Sequence, residues 1–150
     1  MPEIEVAPAS RDDPAVGAIY ERVIGEIEDQ GVEAVAVAGP PADLVPPGGA
    51  MVLVRVGGEL AGIGGIRHLN SPVAEVKSMY VSPARRGRGL GRLILEELHR
   101  IAGEAGCRAV RLDTNGFLAE AVGLYRAAGY REVADYNGNA KADLWFERKL

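Results

Sequence analysis

The feature that most constrains this chain is a turn rich in glycine and arginine that joins an extended apolar segment to a helix. Residues 79–81 lead into the turn, in which Gly87, Gly89 and Gly91 alternate with other residues. Beyond it, apolar residues recur at the 3.6-residue period of an amphipathic helix, at Leu90, Leu93, Ile94, Leu98, Ile101 and Ala105. The turn therefore lies at a helix N-terminus.

Such a turn is suited to hold phosphate groups. The first N–H groups of a helix lack intrahelical partners and carry partial positive charge. Glycine lets a ligand approach the backbone closely and allows positive φ. Full positive charges are added by Arg85, Arg86, Arg88 and Arg92. The pattern predicts a site for a small polyanion, and the alternative is a solvated, glycine-rich helix start.

Two common phosphate motifs do not fit this turn. A Walker P-loop requires Gly-Lys-Ser/Thr, whereas Gly91 is followed by Arg92 and Leu93. A dinucleotide fingerprint requires a third glycine at the position of Arg92. A nucleotide-binding module for ATP or NAD is therefore disfavoured.

Length and charge limit the class of protein. The 150 residues predict one domain over 1–150, and the net charge of −4 argues against a nucleic-acid partner. The single cysteine, Cys107, cannot form an internal disulfide, which favours a reducing compartment. No apolar run is long enough to span a bilayer and the start does not resemble a signal peptide, so we expect a cytoplasmic protein without a membrane partner.

Periodicity and turn residues predict an α/β (α+β) protein with a mixed, mostly antiparallel sheet of about six to seven strands. The strands are expected at residues 3–7, 51–56, 59–68, 74–82, 108–114, 130–134 and 143–148. Helices are expected from Pro14 to near Gly31, from Leu90 to near Gly106, and over residues 118–125. The strand–helix–strand unit around the long helix predicts one parallel pair.

Glycine and proline mark the connections. Gly57 and Gly58 predict a two-residue hairpin, and the glycines that follow at 62, 64 and 65 predict a bulge or a close neighbour. Residues 32–38 fit either a helix or a strand. The Pro/Gly-rich run over 39–49 is either a lid over a substrate or a connector.

Motifs from about residue 50 onward resemble those of the GNAT superfamily of N-acetyltransferases. Arg86, Gly89 and Gly91 occupy the defined places of its Gln/Arg-x-x-Gly-x-Gly/Ala signature. Residues 74–81 resemble its fourth strand, and residues 121–125, followed by Gly-Tyr, resemble its later Ala-x-x-Leu-Tyr motif. The resemblance implies a GNAT-type acyl-CoA N-acyltransferase fold with a splayed parallel pair.

One position departs from the family pattern. Many members carry Asn where this chain has Leu118, and Asn115 is out of register. Whether Asn115 contacts the cofactor is left open.

The resemblance implies acetyl-CoA as the co-substrate. In the family, turn amides hold the pyrophosphate, and backbone groups of the fourth strand pair with the pantetheine arm and can polarise the thioester. The implied cofactor-binding residues here are Met79, Tyr80, Val81, Arg86, Gly87, Arg88, Gly89, Leu90, Gly91 and Arg92. No metal is expected, because His68 and His99 lack partners at ligand spacing, and His99 is expected at the surface.

The resemblance also implies direct attack by a primary amine of a small molecule or peptide, with two catalytic residues. An amine with a pKa near 10 must first lose a proton, and Glu75, alone or through a water, is the candidate base. We expect Glu75 to share a strand face with Lys77, Met79 and Val81. Its alternative is a surface carboxylate paired with a basic neighbour. Tyr125 matches the proton-donating tyrosine of the family, and its alternative is a core tyrosine.

The acceptor is less defined by the sequence. Net acidity weakly favours a cationic amine. Tyr136 and Asn137 are expected to help line its pocket, and Asp113 either faces the substrate or caps a turn. The fold is compatible with an edge-strand homodimer. The alternative function is a non-catalytic acyl-CoA-binding or sensor domain.

Overall fold

The computed structural model describes residues 2–10, 12–29, 48–69, 72–116 and 119–150. Its strands are β1 (Ile4–Ala9), β2 (Gly49–Val56), β3 (Glu59–His68), β4 (Val73–Val81), β5 (Ala109–Thr114), β6 (Arg131–Val133) and β7 (Leu144–Lys149). Its helices are α1 (Pro14–Asp29), α2 (Leu90–Glu104) and α3 (Ala119–Ala127), with a short 3-10 helix (Pro83–Arg85) before α2. The expectations for residues 32–38, for Leu118 and for most of 39–49 lie outside the described residues.

The strands of the described residues form one seven-stranded sheet in the order β1-β2-β3-β4-β5-β7-β6. Every neighbouring pair is antiparallel except β4 and β5, which are parallel. Gly57 and Gly58 join β2 to β3 with φ of 57° and 83°, a region that favours glycine. The predicted α+β architecture, with a mostly antiparallel sheet and one parallel pair, is confirmed.

Each face of the sheet carries its own apolar core. Buried residues of α2 pack on one face, and Val16 and Ile19 of α1 pack on the other. A Cβ added at Gly62 of β3 would lie 3.0 Å from Ile94 Cδ1 of α2, and one at Gly64 would overlap the same side chain. The glycines of β3 therefore allow α2 to approach the sheet closely, as predicted.

A bulge interrupts β4 at Ser78. Ile63 pairs with Tyr80 and Gly65 pairs with Lys77, so two residues of β4 lie opposite one residue of β3. Ser78 has a φ of 61°, the one positive value at a non-glycine residue of the described chain. Its hydroxyl is held by a short hydrogen bond with the Tyr20 hydroxyl of α1. An extra residue of this kind bends the strand and reverses the alternation of its side chains.

The bulge corrects one expectation about Glu75. Met79 and Val81 pack in the core beneath α2, together with Val76. Glu75 and Lys77 lie on the opposite face, so the four residues do not share one face. The uninterrupted period of two that underlay the prediction fails at the bulge.

The parallel strands β4 and β5 form a ladder only over the first three residues of each. Val73, Ala74 and Glu75 pair with residues 109–111 of β5, yet β4 continues to Val81 and β5 to Thr114. Beyond Glu75 the two strands therefore part, and among the described residues no further ladder pairs join β4 to β5.

His99 of α2 ties the helix to the far side of the sheet, and the expectation that it lies at the surface is wrong. The side chain is 9% exposed. Arg148 Nη1 donates to its Nδ1 at 2.8 Å, so its Nε2 carries the proton and donates to Tyr130 Oη at 2.6 Å. Burial, followed by the charges of Arg148 and Arg92, lowers the pKa of His99 to about 4.

We expect His99→Gln to remove an acid-sensitive part of the folding free energy. Because the pKa of His99 falls from 6.5 to about 4 on folding, the unfolded chain binds a proton in that interval that the folded chain does not. The free energy of unfolding therefore decreases as the pH falls from 6.5 towards 4. Chemical denaturation across this interval should show a smaller decrease in His99→Gln than in His68→Gln, which removes the other histidine. Equal decreases in the two variants would contradict this assignment.

Candidate active site

Glu75 is a fully buried carboxylate at the last position of β4 that pairs with β5. Arg67 of β3 donates to its Oε1 from Nη2 at 2.7 Å and from Nε at 2.9 Å, and Lys77 Nζ lies 3.4 Å from the same oxygen. The alternative expectation was a surface glutamate with a basic partner. Glu75 is not at the surface, but it does pair with basic residues. A buried charge is tolerated only when it is paired in this way.

The second oxygen of Glu75 is held by the loop between β6 and β7. The Tyr136 hydroxyl donates a short hydrogen bond to Oε2, and Asn137 Nδ2 donates to it at 3.3 Å. Burial and this bond to Glu75 raise the pKa of Tyr136, which keeps its hydroxyl protonated. The expectation that Tyr136 and Asn137 help line a pocket at this site is consistent with these contacts.

Asn137 joins three parts of the site. Besides Glu75, its Nδ2 donates to Asp113 Oδ2 at 2.6 Å, and its Oδ1 accepts from Trp145 Nε1 at 2.9 Å. The backbone N–H groups of Asn137 and Gly138 bond Asp135 Oδ1, which fixes the turn. Asn137 therefore connects the loop to β4, β5 and β7.

An ion pair bridges the parted strands. Lys77 Nζ of β4 lies 3.1 Å from Asp113 Oδ2 of β5. Burial alone would raise the pKa of Asp113, but hydrogen bonds from Asn137 and Lys77 and the Lys77 charge outweigh it and lower the pKa. Asp113 therefore stays ionised and faces the site.

A cavity of about 240 Å³ opens beside Glu75. Its polar lining consists of Arg67, Glu75, Arg111, Tyr136 and Asn137, and its apolar lining of Leu69 and Val73. Arg111 donates from Nε to Glu147 Oε1 at 2.9 Å, and its guanidinium carbon lies 5.3 Å from the centre of the Tyr136 ring. The volume is slightly below the roughly 300–1,000 Å³ of pockets that bind drug-sized ligands, which suits a small molecule or the end of a larger one.

Tyr125 of α3 is buried at 6% exposure among aromatic rings. Its ring lies 6.0 Å from that of Tyr130 and 6.3 Å from that of Phe146. Burial and the nearby charge of Asp113 raise the pKa of Tyr125 to about 12. The hydroxyl is therefore protonated at neutral pH, as a proton donor must be, although the aromatic packing also fits the core alternative.

The glycine and arginine turn has the geometry of an anion site. Gly87 and Gly89 have φ of 76° and 82°, and Gly89 is the N-cap of α2. Leu93 N–H makes the bond to Gly89 O at 3.1 Å, so the amides of residues 90–92 precede the first helical hydrogen bond. A Cβ at Gly91 would lie 2.7 Å from Leu124 Cδ2, so this glycine permits close packing of α2 against α3.

Three arginines of the turn already have structural contacts, and the first is Arg85, whose Nη2 donates to Glu59 Oε2 at 2.8 Å. Arg86 Nε donates to Val81 O at 2.9 Å, and its guanidinium lies over the Tyr80 ring, so it ties the turn to the end of β4. Arg92 Nη1 donates to Ala127 O at 3.1 Å. Arg88 is exposed at the turn. The structure thus places all ten predicted cofactor-binding residues along one path, from the parted half of β4 to the start of α2.

Three contributors to the site were not predicted as site residues, namely Arg67, Arg111 and Lys77 in its ion-pairing role. Lys77 lies two residues from Glu75, and Arg111 lies two residues before Asp113, so each alternates onto the face of a candidate residue. Arg67 carries no such signal, because only the β3–β4 register places it opposite Glu75.

Comparisons with known proteins identify the family of this chain. The sequence model of the acetyltransferase (GNAT) family matches residues 17–130. The chain is 33% identical over 134 residues to an uncharacterised N-acetyltransferase, YjgM, of Escherichia coli strain K12, covering 84% of this chain and 80% of the relative. It is 38% identical over 102 residues to the N-alpha-acetyltransferase RimI of Mycobacterium tuberculosis, covering 63% and 62%.

Solved structures share the fold. A GNAT-family acetyltransferase from Staphylococcus aureus Mu50 superposes with a TM-score of 0.83 at 15% identity, over 98% of this chain and 99% of the other. A GNAT-family acetyltransferase from Elizabethkingia anophelis with acetyl-CoA bound gives 0.69 at 15% identity, over 98% of both chains.

The chain belongs to the acetyltransferase (GNAT) family. It is an acetyl-CoA-dependent N-acetyltransferase, and its named relatives favour the enzyme over the sensor domain raised by the sequence. Among the residues described, no helix has the length and apolar character needed to cross a bilayer, and no three His, Cys, Asp or Glu side chains gather as a metal site.

We expect Asn137→Ala to loosen the loop that closes over Glu75. The change removes the acceptor for Trp145 Nε1 and one donor to Asp113, and a lost hydrogen bond to a charged group costs about 1.5–3 kcal/mol. Trp145 is the single tryptophan, so its emission should shift to the red and the melting temperature should fall. Asn139→Ala is the control for the contact with Trp145, because Asn139 also hydrogen-bonds Asp113 and its Oδ1 accepts from the Lys141 N–H, whereas Trp145 Nε1 donates to Asn137 Oδ1. An unchanged spectrum in Asn137→Ala would show that the contact with Trp145 is absent in solution.

Proposed function

We propose that this enzyme transfers the acetyl group of acetyl-CoA to a primary amine of a small molecule or peptide where β4 and β5 part. The supporting observation is continuity, because the half of β4 that no longer pairs with β5 leads directly into the glycine- and arginine-rich turn at the start of α2. Such an arrangement suits a ligand with an amide-containing arm and a pyrophosphate. The relative named as an N-alpha-acetyltransferase supports a peptide amine as one candidate acceptor.

Ser82 supports a polar ligand at the junction of strand and turn. Its Oγ is buried and has no hydrogen-bond partner among the described residues. A buried hydroxyl without a partner costs about 1–3 kcal/mol, and a ligand at this position would relieve that cost.

The residues proposed to hold acetyl-CoA are those implied by the family motif. Main-chain groups of Met79, Tyr80 and Val81 would pair with the pantetheine arm. The pyrophosphate would be held by the amides and charges of Arg86, Gly87, Arg88, Gly89, Leu90, Gly91 and Arg92. When bound, acetyl-CoA supplies an activated acetyl group whose carbonyl can be attacked by an amine.

Glu75 is proposed to accept the proton of the amine through a water. Both of its oxygens already accept hydrogen bonds, so direct contact with an amine would displace Tyr136 or Arg67. A water at the cavity wall can contact this network without displacing either donor. Glu75 then acts as the general base that the amine requires at neutral pH.

Tyr125 is proposed to donate the proton to the leaving thiolate. Its pKa of about 12 keeps the hydroxyl protonated over the neutral and moderately alkaline range. The charge of Asp113 at the parted strands is one of the two causes of the raised pKa, which supports a position of the Tyr125 hydroxyl near the site.

The cofactor turn can be tested with two glycines of matched conformation. Gly89 and Gly58 have φ of 82° and 83°, and neither has an atom within 4 Å of an added Cβ. Alanine at either position should cost about 1 kcal/mol of stability through backbone strain. Calorimetry with CoA should give at least about tenfold weaker binding for Gly89→Ala and no change for Gly58→Ala, because only Gly89 caps α2. Equal CoA affinity in both variants would refute the pyrophosphate assignment.

The catalytic roles can be tested with Tyr125→Phe. Loss of a general acid lowers kcat by about 100-fold or more, and CoA affinity should be unchanged. Tyr130→Phe is the matched control, because the Tyr130 hydroxyl bonds His99 and has no proposed role in catalysis. Thiol release from acetyl-CoA with a panel of primary amines measures the rate. A wild-type rate in Tyr125→Phe with normal CoA binding would exclude its role as the acid.

A cytoplasmic location remains part of this proposal. It is supported by the single cysteine, which fits a reducing compartment.

A further inference from the structure

Four strands place alternating charges side by side at the cavity. The strand registers align Arg67 of β3 with Glu75 of β4, Glu75 with Arg111 of β5, and Arg111 with Glu147 of β7. Adjacent strands lie about 4.8 Å apart, so these side chains form one row on one face of the sheet. Arg131 of β6 continues the row opposite Glu147.

Ion pairs do not join every two neighbours in this row of charges. Arg67 pairs with Glu75, and Arg111 pairs with Glu147, whereas Glu75 and Arg111 form no ion pair although they are neighbours in the sheet. Tyr136 lies between them, with its hydroxyl on Glu75 and its ring against the Arg111 guanidinium. The cavity opens at this break in the row.

Arg111 presents unused donors at the break. Its bond to Glu147 employs Nε, and within the described part of the chain its two terminal nitrogens make no hydrogen bond. The terminal nitrogens of a guanidinium form a planar fork that matches a carboxylate. The side chain is 35% exposed, so the fork is accessible from the cavity.

The charged lining supports an anionic group at one end of the cavity. It contains two guanidinium groups, Arg67 and Arg111, and one carboxylate, Glu75, within a chain of net charge −4. At the other end of the cavity, the Glu75 carboxylate and the Tyr136 hydroxyl suit an amine. A ligand with both groups would satisfy both ends.

We propose that the acceptor is a small amino acid whose carboxylate binds Arg111 and whose amine lies beside Glu75 and Tyr136. This inference rests on the proposed function, because it places the acceptor in the cavity next to the catalytic carboxylate. A cavity of about 240 Å³ has room for a free amino acid.

The first test compares acceptors that differ only in the carboxylate. Amino acids, the same amino acids as carboxamides, and the corresponding amines without the carboxyl group are assayed for acetylation by the wild-type enzyme. Hydrogen bonds to a charged group predict a kcat/KM about 10- to 100-fold higher for the free carboxylates, mainly through KM. Equal kcat/KM values across the three sets, or a preference for peptides capped at the C-terminus, would overturn the proposal.

Variants assign the effect to Arg111. Arg111→Gln should lower kcat/KM for the carboxylates about 10- to 100-fold and change the carboxamides by less than about threefold. Arg131→Gln is the control, since Arg131 stands in the same row but outside the cavity, and it should alter neither set. An equal loss for both sets in Arg111→Gln would indicate a merely structural role and overturn the assignment. The wild-type comparison decides the proposal if Arg111→Gln does not fold.

Binding separates failure of this inference from failure of the proposed function. Calorimetry of the amino acids and their carboxamides is performed on the CoA-loaded protein, which cannot transfer an acetyl group. Preferential binding of the carboxylates without turnover would support the ligand class and refute catalysis on it. Turnover of amines without any carboxylate preference would support the function and refute the ligand class.

Discussion

The extra residue in β4 at Ser78 is the constraint on which the site depends. It bends the strand where pairing with β5 has already ended, and it reverses the alternation of side chains. Met79 and Val81 then pack beneath α2, whereas Lys77 and Glu75, which lines the cavity, lie on the opposite face. One backbone irregularity thus separates a proposed cofactor edge from a charged pocket. The positive φ at Ser78 is unfavourable for a non-glycine residue, and the hydrogen bond between the hydroxyls of Ser78 and Tyr20 of α1 helps to hold it.

The buried charge of Glu75 organises the acceptor side in a different way. Desolvation of a carboxylate costs several kcal/mol, and this cost is offset only when both oxygens have partners. The partners come from β3 and from the loop before β7, so Glu75 can be accommodated only when Arg67, Tyr136 and Asn137 are in place. The buried carboxylate of Glu75 therefore holds the loop between β6 and β7 in place through its hydrogen bonds with Tyr136 and Asn137. The position of this loop and the presence of a buried charge at the site both depend on the same hydrogen bonds around Glu75.

Local signals in the sequence predicted most of the fold, because hairpin glycines, a helix start and two periodicities each depend on near neighbours. The bulge was not predictable in this way, since Ser78 is not a glycine and nothing adjacent marks it. The face of Met79 was therefore mispredicted, and the pairing of Arg67 with Glu75 required a register that only the folded sheet supplies. His99 differs, because Leu95 and Ala102 flank it at spacings of four and three on the buried face of α2. This spacing in the sequence predicts that His99 is buried, whereas the charged neighbour Arg100 suggested an exposed position.

The row of charges also decides how far net charge can guide the choice of acceptor. A net charge of −4 acts at long range and is screened beyond about 8 Å at physiological ionic strength. Within the cavity, an acceptor lies closer than that to Arg67, Glu75 and Arg111, whose charges alternate in sign. Overall acidity can accelerate the approach of a cationic amine. The bound orientation, however, depends on where two neighbouring opposite charges form no ion pair with each other, and between Glu75 and Arg111 a ligand with charges of both signs can contact each of them.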